Sequence, residues 1–449
     1  MRMSIALLSV CLPILFAGQS FADDWPQWMG PTGDGVYYET GLVESIPAAG
    51  LDVKWRAEIA GGYAGPAVAA GRVYLFDYVK DSGDAFNDPG RRAELVGAER
   101  VTCFDAESGE RVWRFQYDCP YSISYPAGPR CTPTVDIEGP ADDGRVYTLG
   151  SEGDLHCLNA TNGEPIWKRS FQADYGAAVP IWGFSAHPLV FGDLVYCMVG
   201  GPEQTVVAFD KRTGEQRWKA LSASAVGYCP PSIVRAGGTD QLVVWHADAI
   251  EGLDPVSGEG FWKLPIQPDF EMAITRPQRD GNRMYASAIR SASVMFELAT
   301  DRPAIRELWR GEPRSVVNCA NSTPIFHQGV IYGTDCNEGS LIAVDGETAT
   351  QLWKTFAPTQ PEERRFVRHG TAFLTRVSDT DRYFLMSETG ELIIARLTPA
   401  GYEELGRQKI LEPTGEAFGR DVVWSHPAYS GRTVFARNDK ELVAVSLAP

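Results

Sequence analysis

A nine-residue pattern, Asp-x-x-Ser/Thr-Gly-x-x-x-Trp, recurs along this chain and constrains its fold more than any other feature. It is complete at Asp105, Ser108, Gly109 and Trp113, again at Asp210, Thr213, Gly214 and Trp218, and again at Asp254, Ser257, Gly258 and Trp262. Asn159, Asn162, Gly163 and Trp167 form a close variant; Asp345, Thr348, Ala349 and Trp353 lack only the glycine. Two copies are worn: Asp301 to Trp309 has no glycine, and Leu397 to Leu405 keeps only Gly401. Asp or Asn closes a turn through its side chain, and glycine accepts the positive φ that such a turn needs. The tryptophan then falls on the next strand, where it fills the gap to a neighbouring unit.

Alternating apolar strands flank each turn, and a further short strand opens near a proline upstream. These openings stand at Pro66, Pro133, Pro188, Pro231, Pro277, Pro324 and Pro427, with Thr371 in the equivalent place of the seventh copy. Four strands per unit, repeated roughly every fifty residues, describe propeller blades. There are eight openings. The last copy runs Leu442 to Ser446 with no outer strand after it, whereas Trp55 in "DVKWRAEI" sits on an outer strand with no blade before it. The expected fold is therefore all-β: an eight-bladed β-propeller of four-stranded antiparallel blades, the last closed by the N-terminal strand around Trp55. That closure hides a sheet edge.

Residues 1–22 read as a signal peptide. Arg2 is followed by the short apolar run Ile5 to Phe16, and Ser20, Phe21 and Ala22 offer a cleavage site after Ala22. An N-terminal extended segment, 23–50, then leads to the propeller, 51–449. The expected location is periplasmic or secreted, with no transmembrane segment and a monomeric state. A formal charge of −17 argues against a nucleic-acid partner.

The repeat resembles that of the PQQ-like propellers, shared by quinoprotein alcohol dehydrogenases and by the envelope protein BamB. "DWPQWMGPTGDG", "ERVTCFDAESGE", "YCPPSI", "CANSTP", "WSHPAY" and "RNDKEL" carry a closer likeness to exported PQQ-like proteins of planctomycete-type bacteria. The resemblance is specific for fold and weak for activity.

Blade-to-blade connectors share one mouth of the central channel. Just before the inner strands they bring together Arg130, His187, Arg276, Asn321, Arg368, His369 and His426, framed by Tyr121, Tyr125, Trp182, Tyr228 and Trp424. Three of the six histidines fall on this ring. A cationic, aromatic-walled mouth in an acidic protein points to an anionic ligand: a carboxylate, an acidic or sulfated sugar, or a quinone carboxylate. The alternative is that these side chains fill the channel and pair with acidic loop residues such as Asp118. Metal binding by His187, His369 and His426 is weaker, because the first and last sit on distant blades. Cys119 with Cys131, and Cys319 with Cys336, are candidate disulfides on this face. Cys103, Cys157 and Cys197 read as core. Asp77, Asp81, Asp84, Asn87 and Asp88 crowd an insertion in the first blade, but not at the spacing of a calcium-binding EF-hand loop.

Three functions follow. The first is an exported, non-catalytic propeller that binds a ligand or an envelope protein, BamB-like in architecture. The second, implied by the resemblance, is a dehydrogenase using PQQ with calcium; the chain lacks the adjacent cysteine pair and the haem motif found in many such enzymes. The third is a carbohydrate-binding or carbohydrate-cleaving propeller. No nucleophile-elbow, zinc-protease or phosphate-loop motif occurs.

Overall fold

Each copy of the repeat becomes one four-stranded antiparallel sheet in the computed structural model, which describes residues 24–137, 144–290, 292–312, 315–360, 366–378 and 380–449. The signal-peptide reading falls outside these residues. In the first blade Ala67–Ala69, Arg72–Gly83, Ala93–Asp105 and Arg111–Asp118 run from the channel outward. The next six blades open with inner strands Thr134–Asp136, Leu189–Phe191, Ser232–Ala236, Gln278–Asp280, Ile325–His327 and Ala372–Val377. The eighth holds Ala428–Ser430, Thr433–Arg437 and Glu441–Ser446, and is completed by Val53–Glu58. Trp55 lies opposite Ala444 in that pairing. The inner strand of blade one touches those of blades two and eight, so the ring closes.

The repeat works as a lock between blades. Asp105 Oδ1 accepts the backbone N–H groups of Glu107 and Ser108 and the Ser108 hydroxyl, at 3.0 to 3.1 Å. These bonds pull its carboxyl below the usual range. Gly163 follows such a turn at φ 76°, and a Cβ there would lie 2.4 Å from the Trp113 ring of the preceding blade. Gly109, Gly214 and Gly258 stand the same way against Trp55, Trp167 and Trp218. Each indole also donates to a carbonyl of the next blade: Trp55 to Ala106, Trp113 to Ala160, Trp167 to Lys211, and Trp218 to Pro255, at 2.9 to 3.1 Å. Trp309 and Trp353 bond to Gly346 and Thr398. Trp262 is the exception. It faces the worn, glycine-free fifth copy and bonds instead to the Gln241 side chain of its own blade.

The N-terminal segment runs inside the channel along the free edges of the inner strands. Trp25 pairs with Val68 of blade one, and Val135 of blade two donates to the Pro26 carbonyl. Trp28 lies between His187 of blade three and His426 of blade eight. A Cβ at Gly33 would collide with Arg276 of blade five at 1.5 Å. Val36–Tyr37 then pairs in parallel with Arg376 and Val377 of blade seven. The chain thus blocks its own channel before it turns to close blade eight.

Candidate functional site

That internal plug turns one mouth of the channel into a blind cup of about 1080 Å³. Trp28 lies at its floor, stacked on His187 at 4.8 Å between ring centroids and edge-on to His426 at 5.3 Å. Trp182 and Tyr228 stand on one wall, 5.5 Å apart; Tyr125, Trp424 and Phe418 form another. Of the twelve residues expected here, ten line the cup: Tyr125, Arg130, Trp182, His187, Tyr228, Asn321, Arg368, His369, Trp424 and His426.

The other two do not. Tyr121 points into a side cluster under the first blade, stacked on Tyr78 at 3.9 Å, and its hydroxyl donates to Glu99 at 2.6 Å. Glu99 is buried there with a second phenol, Tyr117, and the Ser151 N–H also bonded to it; burial pushes its carboxyl up to about 7. Arg276 lies against the plug, donating to the Thr32 carbonyl at 3.2 Å.

The charge of the mouth also differs from the sequence reading. Burial, with His426 nearby, pushes His187 down to about 3. Burial likewise takes His426 to about 3, and with Arg368 nearby takes His369 to about 4. All three are neutral at physiological pH. His187 Nδ1 accepts the Thr132 N–H at 2.8 Å, so its proton sits on Nε2. That nitrogen is a donor, not a free lone pair for a metal. His187 and His426 do converge, although on distant blades, but they converge on an indole. Among the described residues no group of three or more His, Cys, Asp or Glu side chains is arranged to hold a metal ion.

Arg130 is committed within the protein. It donates to the carbonyls of Gly128, Ser124 and Tyr125 at 2.7 to 2.8 Å and lies over the Tyr63 ring. Its role is to fix its own connector. Arg368 differs: exposed at the rim, it stacks over Phe418 at 5.7 Å and has no hydrogen bond or ion pair among the described residues. Glu271 on the rim between blades four and five is equally unpartnered. Asp248 and Asp269 are taken up by Ser224 and Arg290.

Backbone strain gathers at this rim. Tyr125, Phe270, Glu271, His369 and Phe418 all line the cup with φ between 51° and 61°. Such conformations are costly for residues with a side chain and cluster where a structure must present a group. Phe418 tops a hairpin, Gly415–Ala417 paired with Arg420–Val422, and its ring stacks on His369 at 4.9 Å. Trp424 is held by its indole N–H on Glu388, which also grips Arg420 at 2.9 and 3.1 Å.

The two candidate disulfides are not formed. All eight described cysteines are free thiols and buried. Cys119 packs with Tyr78 and Tyr121, whereas Cys131 belongs to the core of blades two and three, so the connector is not bridged. Cys319 and Cys336 likewise pack in separate clusters. Cys103, Cys157 and Cys197 are core, as expected. The first-blade insertion is a long hairpin that leans over the cup, where Asn87 donates to the Glu416 carbonyl. Asp77 is turned inward and spent on Arg100 through two bonds of 2.6 and 2.8 Å.

Sequence reasoning missed Trp28, Tyr63, Phe270, Glu271 and Phe418. Their signal was faint: Trp28 lies in "DWPQWMGPTGDG", outside the repeat, and Phe418 precedes the turn glycine Gly419.

The family model described as "Outer membrane protein assembly factor BamB" matches residues 97–355. The outer membrane protein assembly factor BamB of Burkholderia pseudomallei is 25% identical over 331 residues, 72% of this chain and 74% of that protein. A quinohemoprotein alcohol dehydrogenase of Pseudomonas putida is 27% identical over 153 residues, 33% of this chain and 20% of its own length. This chain therefore matches about a fifth of that enzyme. The crystal structure of quinohemoprotein alcohol dehydrogenase from Comamonas testosteroni has a TM-score of 0.60 at 13% identity, covering 95% of this chain and 81% of that one. Such a likeness speaks for the fold alone.

Proposed function

The chain belongs to the PQQ-like propeller family described as the outer membrane protein assembly factor BamB, and from that premise we propose that it is a binding propeller of the cell envelope whose ligand or partner occupies the cup. The observation that carries this reading is the blind, aromatic-walled cup itself, with strained residues presenting its rim and the protein's own Trp28 as floor. Large concave sites with a few polar groups are where proteins bind small molecules and anchor side chains. Among the described residues none of the three recessed histidines is hydrogen-bonded to a hydroxyl or thiol, so none is set up to activate a nucleophile. The same family premise favours an exported, envelope location; among the described residues no helix is long and apolar enough to cross a membrane.

A quinone tricarboxylate with calcium does not fit these residues. Among the described residues, three carboxylates would meet one unpartnered guanidinium, Arg368, beside the unpartnered carboxylate of Glu271 and neutral imidazoles. The alcohol dehydrogenase relative keeps the enzyme reading worth testing. Purified protein is incubated with PQQ and calcium, then assayed for dye-linked alcohol oxidation and a bound-quinone spectrum. The expected result is no dye reduction above a control without PQQ; reduction above it overturns the binding reading.

A further inference from the structure

Resting on the binding reading, we infer that the ligand class of the cup is an acidic oligosaccharide. Its pyranose rings lie against the aromatic walls, one carboxylate meets Arg368, and its hydroxyls meet Glu271 and Asn321.

Four observations narrow the choice. The first is shape. About 1080 Å³ is at the upper end for a drug-sized ligand, which leaves room for several sugar rings. Trp28 closes the floor, so a lipid chain finds no tunnel. The second is the inner strand edges, the surface an extended peptide would pair with. In blades one and seven the protein's own Trp25 and Val36–Tyr37 already occupy them. The third is the walls. Trp182 with Tyr228, and Trp424 with Tyr125, give two separate aromatic surfaces, each with a polar tip. The apolar C–H face of a pyranose suits such rings.

The fourth is the pair of free charges. Glu271 and Arg368 line the same cup, carry opposite signs, and lack partners among the described residues. A purely anionic ligand would waste Glu271 and a cationic one would waste Arg368. A sugar hydroxyl donates to a carboxylate and accepts from a guanidinium or amide. A uronate adds the carboxylate that matches Arg368 in a two-pronged bond. With a chain charge of −17, a ligand with few charges is favoured over a dense polyanion.

The test is calorimetric titration of the full chain with trisaccharides of galacturonate, glucuronate and mannuronate, each as free acid and as methyl ester. The ester keeps the rings and removes the charge. At least one free acid is expected to bind about tenfold more tightly than its ester. Arg368→Gln should abolish that tenfold preference and leave ester binding unchanged. Trp182→Ala should weaken acid and ester alike, by about tenfold. Equal affinity for acid and ester overturns the acidic part of the inference. If none of the six binds, the sugar class is overturned. The cup reading fails separately: it falls if a ligand found by any route is bound equally well by the wild type and by a Trp182→Ala, Trp424→Ala double variant whose thermal unfolding is normal.

Discussion

Two sets of tryptophans in this propeller stand in contrast. Those of the repeat, such as Trp113 and Trp218, are spaced by the sequence period, lie about nine-tenths buried, and each lean on a glycine turn and a carbonyl of the next blade. Those of the cup, Trp28, Trp182 and Trp424, obey no period. They are held by different partners: an imidazole, a tyrosine ring, and the buried Glu388. The first set repeats because the ring repeats. The second does not, because a binding site breaks the symmetry of its scaffold.

The largest expected effect sharpens that contrast. Trp218→Ala removes a large buried ring and one of the two hydrogen bonds to the Pro255 carbonyl, which Tyr196 also donates to, so it should cost about 3–5 kcal/mol in urea or guanidinium unfolding. Trp182→Ala, at the partly open mouth, should cost under about 1 kcal/mol by the same measurement. Equal costs would erase the distinction between lock and cup.

The partner of the tryptophan should be nearly as sensitive. In Gly163→Ala the new methyl would sit 2.4 Å from the Trp113 ring, at a φ of 76° that alanine resists. The expected loss is about 2–3 kcal/mol, from overpacking and backbone strain together. Gly192→Ala is the control: its φ of 60° imposes the same strain, but no atom lies within 4 Å of the added methyl. It should cost only about 1 kcal/mol.

The two regions were not equally legible. The lock could be read because the Asp-x-x-Ser/Thr-Gly-x-x-x-Trp pattern states a local rule, and seven copies of it, with the closing strand around Trp55, fix a ring of eight blades. The same count put Arg130, His187, Asn321 and His426 at one mouth. It could not say which way a side chain turns. Tyr121 and Arg276 occupy the right connectors, yet Tyr121 turns under the first-blade hairpin to reach Glu99, and Arg276 meets the plug. Nor does sequence spacing report burial, so the histidines looked cationic although their recess keeps them neutral. The plug lay outside the period altogether.

Those histidines give the comparison a pH dimension. His187 and His426 titrate at about 3 in the folded chain against 6.5 as the ordinary value. Between those limits the unfolded chain holds more protons, so their contribution to stability is complete above about 6.5 and is lost as pH falls toward 3. Thermal unfolding midpoints should therefore drop from pH 6.5 to pH 4. A His187→Gln, His426→Gln double variant should show a shallower drop over that range. Glu99 works in the opposite sense, since its raised value favours the folded chain at the acid end, and it is unchanged in both proteins. If the slopes are identical, the cup histidines are not held neutral.

The smallest effect tests whether the repeat rule governs even its own exceptions. The copy at Asp345 has Ala349 where the complete copies have glycine, yet Ala349 still adopts φ 57°. The Asp345 bonds to the Glu347 and Thr348 N–H groups hold the turn in the shape the sequence resists. Removing the methyl relieves left-handed strain worth about 1–2 kcal/mol. It also returns conformational freedom to the unfolded chain, worth about 0.4–1 kcal/mol, and gives up some packing beside Trp309. The balance for Ala349→Gly is a gain of under about 1 kcal/mol, read as a higher denaturant midpoint at unchanged slope. A loss of stability would mean that the alanine methyl has become part of the lock against Trp309, and that this copy has drifted from the rule rather than merely strained against it.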